Sequence, residues 1–324
     1  MSLPPTQRAG LMRAACLVAP GRIEIGSMPL PQPGARQVRI RVAGCGVCGS
    51  NLAVWQGRPW FNYPLESGAP GHEGWGEIEA LGEGVERFSI GDRVGFLSQR
   101  SFAEYALADS DTLVVAPPRS DMFPAEALGC AVNVFRRAQI HAGQSVAVVG
   151  CGFIGALVIQ LATRAGARVF ALSRRDFARA IARRCGACEV LSTDDAALER
   201  ILDLTAGAGC ERVIEAAGAQ ESLDLAGRLV KIRGRLVIAG YHQDGSRRVD
   251  MQAWNWRGID VINAHERDPN AYVSGMSAAA EFIARGTLDC DFLYTHKFSI
   301  DQLPAALDAL AARPESFLKG WIAF

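Results

Sequence analysis

SVAVVGCGFIG, residues 145–155, begins as a short apolar run, breaks on Gly150-Cys151-Gly152-Phe153-Ile154-Gly155, and continues into a helical pattern over Ile154–Ala165. Glycines at this spacing, set between a strand and a helix, form the turn that cradles a dinucleotide pyrophosphate. Gly150 permits the tight turn, Gly152 lets the phosphates approach the backbone, and Gly155 lets helix and strand pack closely. The helix N-terminus then faces the anion. A glycine-rich turn without a ligand is the alternative, and the strand–turn–helix context weighs against it.

Outward from this turn the same rhythm repeats. Arg168–Ser173, Arg212–Ala217, Arg235–Gly240 and Asp260–Ala264 are short apolar runs, alternating with helical stretches such as Asp176–Cys185. Buried strands alternating with helices predict an α/β chain with a doubly wound parallel sheet. Upstream, runs such as Val38–Val42 and Arg93–Phe96 lie between Gly and Pro and predict a β-rich domain ending near Pro117-Pro118. Downstream of residue 265, helical patterns at Tyr272–Arg285 and Gln302–Ala312 flank a strand-like Leu293–Phe298. The expected division is 1–118, 119–264 and 265–324, the last block being too small for its own core and returning to the first.

Composition narrows the classes. The 324 residues are 49% hydrophobic and 21% charged, with 34 Lys plus Arg against 34 Asp plus Glu, so the net charge is zero. No global basic field exists to hold nucleic acid or an anionic membrane. No apolar run approaches the ~18 residues of a spanning helix, and the arginine-dotted start does not read as a secretory signal. Nine cysteines at irregular spacing fit reduced thiols rather than a disulfide framework. A cytoplasmic location is expected.

The end of the second strand of the sheet selects the nucleotide. A carboxylate about 20 residues beyond the glycine turn would bind an adenosine ribose 2′-OH. Here stand Ser173-Arg174-Arg175, with two guanidiniums able to clamp a 2′-phosphate. NADP(H) is expected over NAD(H). A solvated basic helix start is the alternative, disfavoured because two cations there oppose the helix dipole.

Gly46-Val47-Cys48-Gly49-Ser50-Asn51, then Gly71-His72-Glu73-Gly74, then the glycine turn and a closing Leu318-Lys319-Gly320, together resemble the zinc-dependent medium-chain dehydrogenase/reductase family over nearly the whole chain. The resemblance implies a GroES-like catalytic domain joined to a Rossmann domain. It implies one catalytic Zn2+ with Cys48 and His72 as ligands, a thiolate and an imidazole being preferred zinc donors. Two glutamates compete for the third place, Glu73 and Glu126. Glu126 also reads as a first-turn helix acid after Pro124. Ser50 matches the hydroxyl that passes the substrate proton outward, with a turn serine as the alternative. Further nucleotide contacts implied are Phe153, Ile154, Ala217, Gly218 and Gly240.

This chain departs from the family pattern in three places. Asn51 stands where an aspartate usually orients the metal histidine, Gly49 removes a basic or bulky residue found in some members, and the four-cysteine lobe for a structural zinc is absent. Cys185 and Cys188 have redox spacing but fall at a helix C-terminus and read as structural, and Cys45 reads equally well as a core strand residue. His141, His242, His265 and His296 carry no assignment.

The expected reaction is hydride transfer between NADP(H) and a secondary alcohol or ketone. A polyol, cyclitol or sugar-derived alcohol is favoured, with Trp55, Trp60 and Phe61 offering either a stacking wall or plain packing. A zinc-free quinone or enone reductase and a non-catalytic NADPH sensor are the rivals. Family habit implies a homodimer or homotetramer.

Overall fold

The computed structural model describes residues 10–118, 120–242 and 244–324. These divide into two compact units: residues 10–126 with Tyr294–Arg313 and Lys319–Phe324, and Ala127–Leu293 with Pro314–Leu318.

The first unit opens with an antiparallel pair, β1 (Leu11–Ala19) and β2 (Arg22–Pro29). There follow β3 (Gln37–Val47), the short helix α1 (Asn51–Trp55), β4 (Glu73–Leu81), β5 (Arg93–Phe96), β6 (Tyr105–Asp109) and β7 (Leu113–Val115). Alternation along β3 sends Val38, Ile40 and Val42 into a core with Ile78, Val94, Phe96 and Leu113. Burying that apolar surface is what makes these short strands a sheet.

In the second unit α2 (Ala125–Ala138) leads into β8 (Ser145–Val149), α3 (Phe153–Arg164), β9 (Arg168–Leu172), α4 (Asp176–Arg184), β10 (Glu189–Leu191) and α5 (Asp195–Leu204). The chain then returns through β11 (Cys210–Glu215), α6 (Gln220–Leu229), β12 (Val230–Ile238), α7 (Met251–Arg257), β13 (Asp260–Asn263) and α8 (Pro269–Ala284). The six strands run parallel in the order β10-β9-β8-β11-β12-β13. The chain therefore starts at the centre and winds outward in both directions, as the apolar runs predict. Every residue of β8 is buried, consistent with a central strand covered on both faces.

The last segment supplies β14 (Tyr294–Ser299), α9 (Leu303–Ala312) and β15 (Lys319–Ala323) to the first unit. The final block is thus shared: α8 and the residues to Leu293, with Pro314–Leu318, fall in the second unit, and Tyr294–Arg313 with Lys319–Phe324 fall in the β-rich one. Its sheet order is β14-β15-β3-β4-β5-β7. One edge of β3 has two partners, β6 over Gln37–Arg41 and β15 over Gly44–Val47. That is why β3 runs past Val42 and is buried continuously from Gly44 onward. Trp55 is 8% exposed, and its indole N–H donates to Asp308 Oδ1 on α9 at 3.0 Å. The packing reading holds for Trp55, and the stacking wall loses this member. Among the described residues no helix is long and apolar enough to cross a membrane.

Candidate metal centre and nucleotide loops

Antiparallel pairing of β3 with β4 sets Gly46 opposite Glu73. Cys48, just past the end of β3, and His72, just before β4, are thereby neighbours. Donor atoms of Cys48, His72 and Glu73 all lie within 4.8 Å of one another. Ser50 occupies the N-cap position of α1 but makes no capping bond; its Oγ lies 3.3 Å from His72 Nε2.

His72 is oriented by a backbone carbonyl, its Nδ1 lying 3.0 Å from Pro70 O. A carbonyl only accepts, so Nδ1 carries a proton and Nε2 is the nitrogen that a metal ion would take, by displacing any proton there. Asn51, 1% exposed, hydrogen-bonds backbone groups of the Cys48 and Pro70 segments. Its Oδ1 accepts from Cys48 N at 2.8 Å and its Nδ2 donates to the same Pro70 O at 3.1 Å. The amide thus ties the cysteine loop to the histidine loop, and both halves of it are used, one as acceptor and one as donor.

Glu73 Oε1 accepts from Lys319 Nζ at 2.6 Å, with the two side chains 3% and 6% exposed. β15 supplies this lysine from beside β3. The glutamate fits there because residue 46 is glycine: a Cβ would stand 2.0 Å from Glu73 Oε2. That Oε2 is buried and has no hydrogen-bond partner. Burial opposes charge on Glu73, but Lys319 and then His72 outweigh it and hold its pKa below the usual carboxylate range. Lys319 is raised in return, Glu73 overcoming its burial. His72 is pushed up to about 10; burial works against this, and Cys48, Glu126 and Glu73 outweigh it. Anionic groups around an imidazole, with one carboxylate oxygen unused, make a donor set that fits a divalent cation such as zinc. Glu126 acts on this cluster through its charge, while the close trio consists of Cys48, His72 and Glu73.

The glycine turn has the geometry its sequence predicts. Gly150 has φ +105°, nothing lies within 4 Å of a Cβ at Gly152, and one at Gly155 would stand 2.0 Å from Gly150 O. Phe153 and Ile154 begin α3. The loops after β11 and β12 come to the same place, since a Cβ on Gly150 would meet Ala217 N at 2.7 Å and one on Gly240 would meet Gly218 N at 2.4 Å. Ser173 is buried at the end of β9. The two arginines after it differ. Arg174 is exposed, whereas Arg175 Nη2 donates to the carbonyls of Pro314, Glu315 and Phe317. Cys185 receives a bond from Gln160 and Cys188 donates to Val169 O, so the two belong to separate local contacts. Cys45 is fully buried in β3.

Lys319 belongs to this site although its motif gives it no role there. The signal in the sequence is a lone lysine heading the otherwise uncharged run KGWIA.

Comparison with known proteins agrees with this arrangement. Residues 34–118 match the alcohol dehydrogenase GroES-like domain and residues 154–281 match the zinc-binding dehydrogenase family. The chain is 31% identical over 323 residues to (R,R)-butanediol dehydrogenase of Bacillus subtilis strain 168, covering 87% of this chain and 90% of that one. It is 26% identical over 326 residues to sorbitol dehydrogenase of Halalkalibacterium halodurans, covering 90% and 93%. A thermostable alcohol dehydrogenase from Pyrobaculum aerophilum has the same fold, with a TM-score of 0.83 at 27% identity over 97% of this chain and 100% of that one. The chain belongs to the zinc-type medium-chain dehydrogenase/reductase family.

Removing one partner of a buried ion pair leaves the other charge uncompensated. Lys319→Met is expected to lower the unfolding free energy by about 3–5 kcal/mol, measured by urea denaturation. Adding Glu73→Leu is expected to recover most of that loss. A single variant within about 1 kcal/mol of the parent would show that the pair does not hold this corner of the sheet together.

Proposed function

We propose that the protein is a zinc-dependent alcohol dehydrogenase that moves a hydride between NADP(H) and the carbinol carbon of a polyol, cyclitol or sugar-derived alcohol. The observation that carries this reading is the buried Glu73 Oε2, left without a partner beside Cys48 and His72. That cluster supports the metal-dependent reading over a zinc-free reductase or a nucleotide sensor. Cys48, His72 and Glu73 would hold the ion, with Glu126 adding charge from farther out. Zinc, when bound, supplies Lewis acidity that makes a substrate hydroxyl more acidic. Ser50 Oγ, half-buried and free of capping duty, accepts that hydroxyl proton and passes it outward. Gly150, Gly152, Phe153, Ile154, Gly155, Ala217, Gly218 and Gly240 hold the nucleotide, which carries the hydride chemistry itself.

The substrate class is supported by two relatives named for sorbitol and (R,R)-butanediol, compounds with more than one hydroxyl. Trp60, 53% exposed and tilted against Phe61 at 6.0 Å, offers an aromatic face to such a molecule. With zinc-replete protein, a panel of polyols, cyclitols and simple secondary alcohols is expected to give turnover with one class, faster with NADP+ than NAD+. Chelation is expected to abolish it. Turnover indifferent to chelator in protein without bound zinc would sink the metal reading.

Arg174 is the residue for the 2′-phosphate, because the Arg175 guanidinium is spent on backbone carbonyls; Ser173 shapes the turn by accepting from Arg175 N at 3.4 Å. Loss of a charge-assisted bond is worth about 1.5–3 kcal/mol, so Arg174→Ala is expected to weaken NADPH about tenfold or more. NADH binding should hardly move. Equal weakening of both nucleotides would refute the assignment.

The assembly is read as a homodimer, or a tetramer built from two. β13 is the edge of the parallel sheet, and an edge with open backbone groups invites a second strand. Val261 on it is 40% exposed, and Met251 and Trp256 on the preceding helix are 60% and 89% exposed. Light scattering is expected to give the mass of two or four chains, and Trp256→Glu is expected to lower it. A monomeric parent protein would overturn this reading. The nine free thiols support a reducing, cytoplasmic setting.

A further inference from the structure

A second buried glutamate lies outside the metal cluster. Glu215, the last residue of β11, is 0% exposed. Its Oε1 accepts from Ala217 N at 2.9 Å, Gly218 N at 2.8 Å and Ser222 Oγ at 2.7 Å. Its Oε2 meets His242 Nε2 at 3.0 Å, and the other ring nitrogen, Nδ1, accepts from Arg247 Nε at 2.9 Å. A guanidinium only donates, so Nδ1 presents its lone pair and Nε2 carries the proton that bonds the carboxylate. The Arg247 guanidinium therefore reaches this buried carboxyl group through an imidazole. Arg247 Nη2 also donates to Gly218 O at 3.0 Å, and its guanidinium pairs with Asp244.

These bonds close a ring. Gly218 gives its N–H to Glu215 and accepts on its carbonyl from Arg247, with φ held at +79°. The ring joins the loop after β11 to the loop after β12, and there is no slack in it. A Cβ on Gly240 would stand 2.5 Å from Glu215 Oε2, and one on Gly218 would stand 2.8 Å from Tyr241 O. In a doubly wound sheet the first half holds the adenosine side of a dinucleotide and the second half holds the other nucleotide. Both joined loops belong to the second half.

We propose that Glu215, His242 and Arg247 are a positioning triad that presets these two loops for the nicotinamide half of the cofactor. The inference rests on the nucleotide reading given above and assigns three residues to it. His242 acts through the loops it joins. Removing it strands Glu215 Oε2 without a donor and Arg247 Nε without its acceptor. Arg247 then keeps Gly218 O and Asp244 but loses its link to Glu215, and the two loops are no longer held in one set conformation before any nucleotide arrives. Part of the binding energy must then be spent on ordering them.

The test compares zinc-loaded parent protein with His242→Ala, His242→Gln and Arg247→Met. Nucleotide affinity is read from NADPH and NADH fluorescence, and amide exchange is read over residues 215–219 and, around the second loop, 239–242. His242→Ala is expected to bind both nucleotides about tenfold or more weakly. Exchange should quicken in those two segments while the rest of the sheet and the zinc content stay as in the parent. Glutamine offers one donor and one acceptor at similar reach, so His242→Gln is expected to restore most of both. Arg247→Met breaks the ring at its outer end and should weaken binding in the same direction, which carries the test if the alanine variant does not fold. Parent-like affinity in His242→Ala, no rescue by glutamine, or faster exchange throughout the sheet would overturn the triad. A parent protein that binds neither nucleotide would instead bring down the nucleotide reading itself, and the triad with it.

Discussion

An ammonium and a carboxylate buried against each other, Lys319 and Glu73, hold in place the corner of the first unit that carries Cys48 and His72. Neither side chain is more than 6% exposed, and charges so far from water persist only when paired. The pair requires β15, β3 and β4 to lie side by side, which sets the register that brings Cys48 and His72 together. It also divides the duties of one carboxylate: Oε1 is committed to the lysine, and Oε2 is left without a hydrogen-bond partner. Pro70 O then orients the ring, and Asn51 joins the two loops through the same carbonyl.

The two buried glutamates show how the surroundings of a carboxylate decide its use. Glu215 has donors on both oxygens, three on Oε1 and one on Oε2, so it works as a fastener. Glu73 has one strong partner and one oxygen without a hydrogen bond, which suits the ligand role proposed for it. The number of satisfied lone pairs separates the roles where residue type and burial do not.

Local patterns are legible in the residues themselves. The strand, turn and helix of residues 145–155 depend on near neighbours, and so do the Cys48 and His72 motifs. What the residue pattern does not reveal depends on contacts far along the chain. Lys319 meets Glu73 across 246 positions, and no spacing rule reaches that far. Arg174 and Arg175 are the same residue type side by side, and only carbonyls some 140 positions downstream separate their duties. Trp55 lies between the metal motifs in sequence, yet a bond to Asp308 takes it into the packing. The family pattern points Asn51 at the histidine ring, but the Pro70 carbonyl takes that place.

The hydrogen atom that stands for a side chain at Gly46 has an evolutionary meaning. Glu73 cannot swing away from a Cβ there, because its other oxygen is tied to Lys319 and its surroundings are closed. A lineage that gains any side chain at position 46 must first have shortened residue 73 or dissolved the lysine pair. Positions 46, 73 and 319 are therefore expected to change together rather than singly, because space at one and charge at another both pass through the same carboxylate.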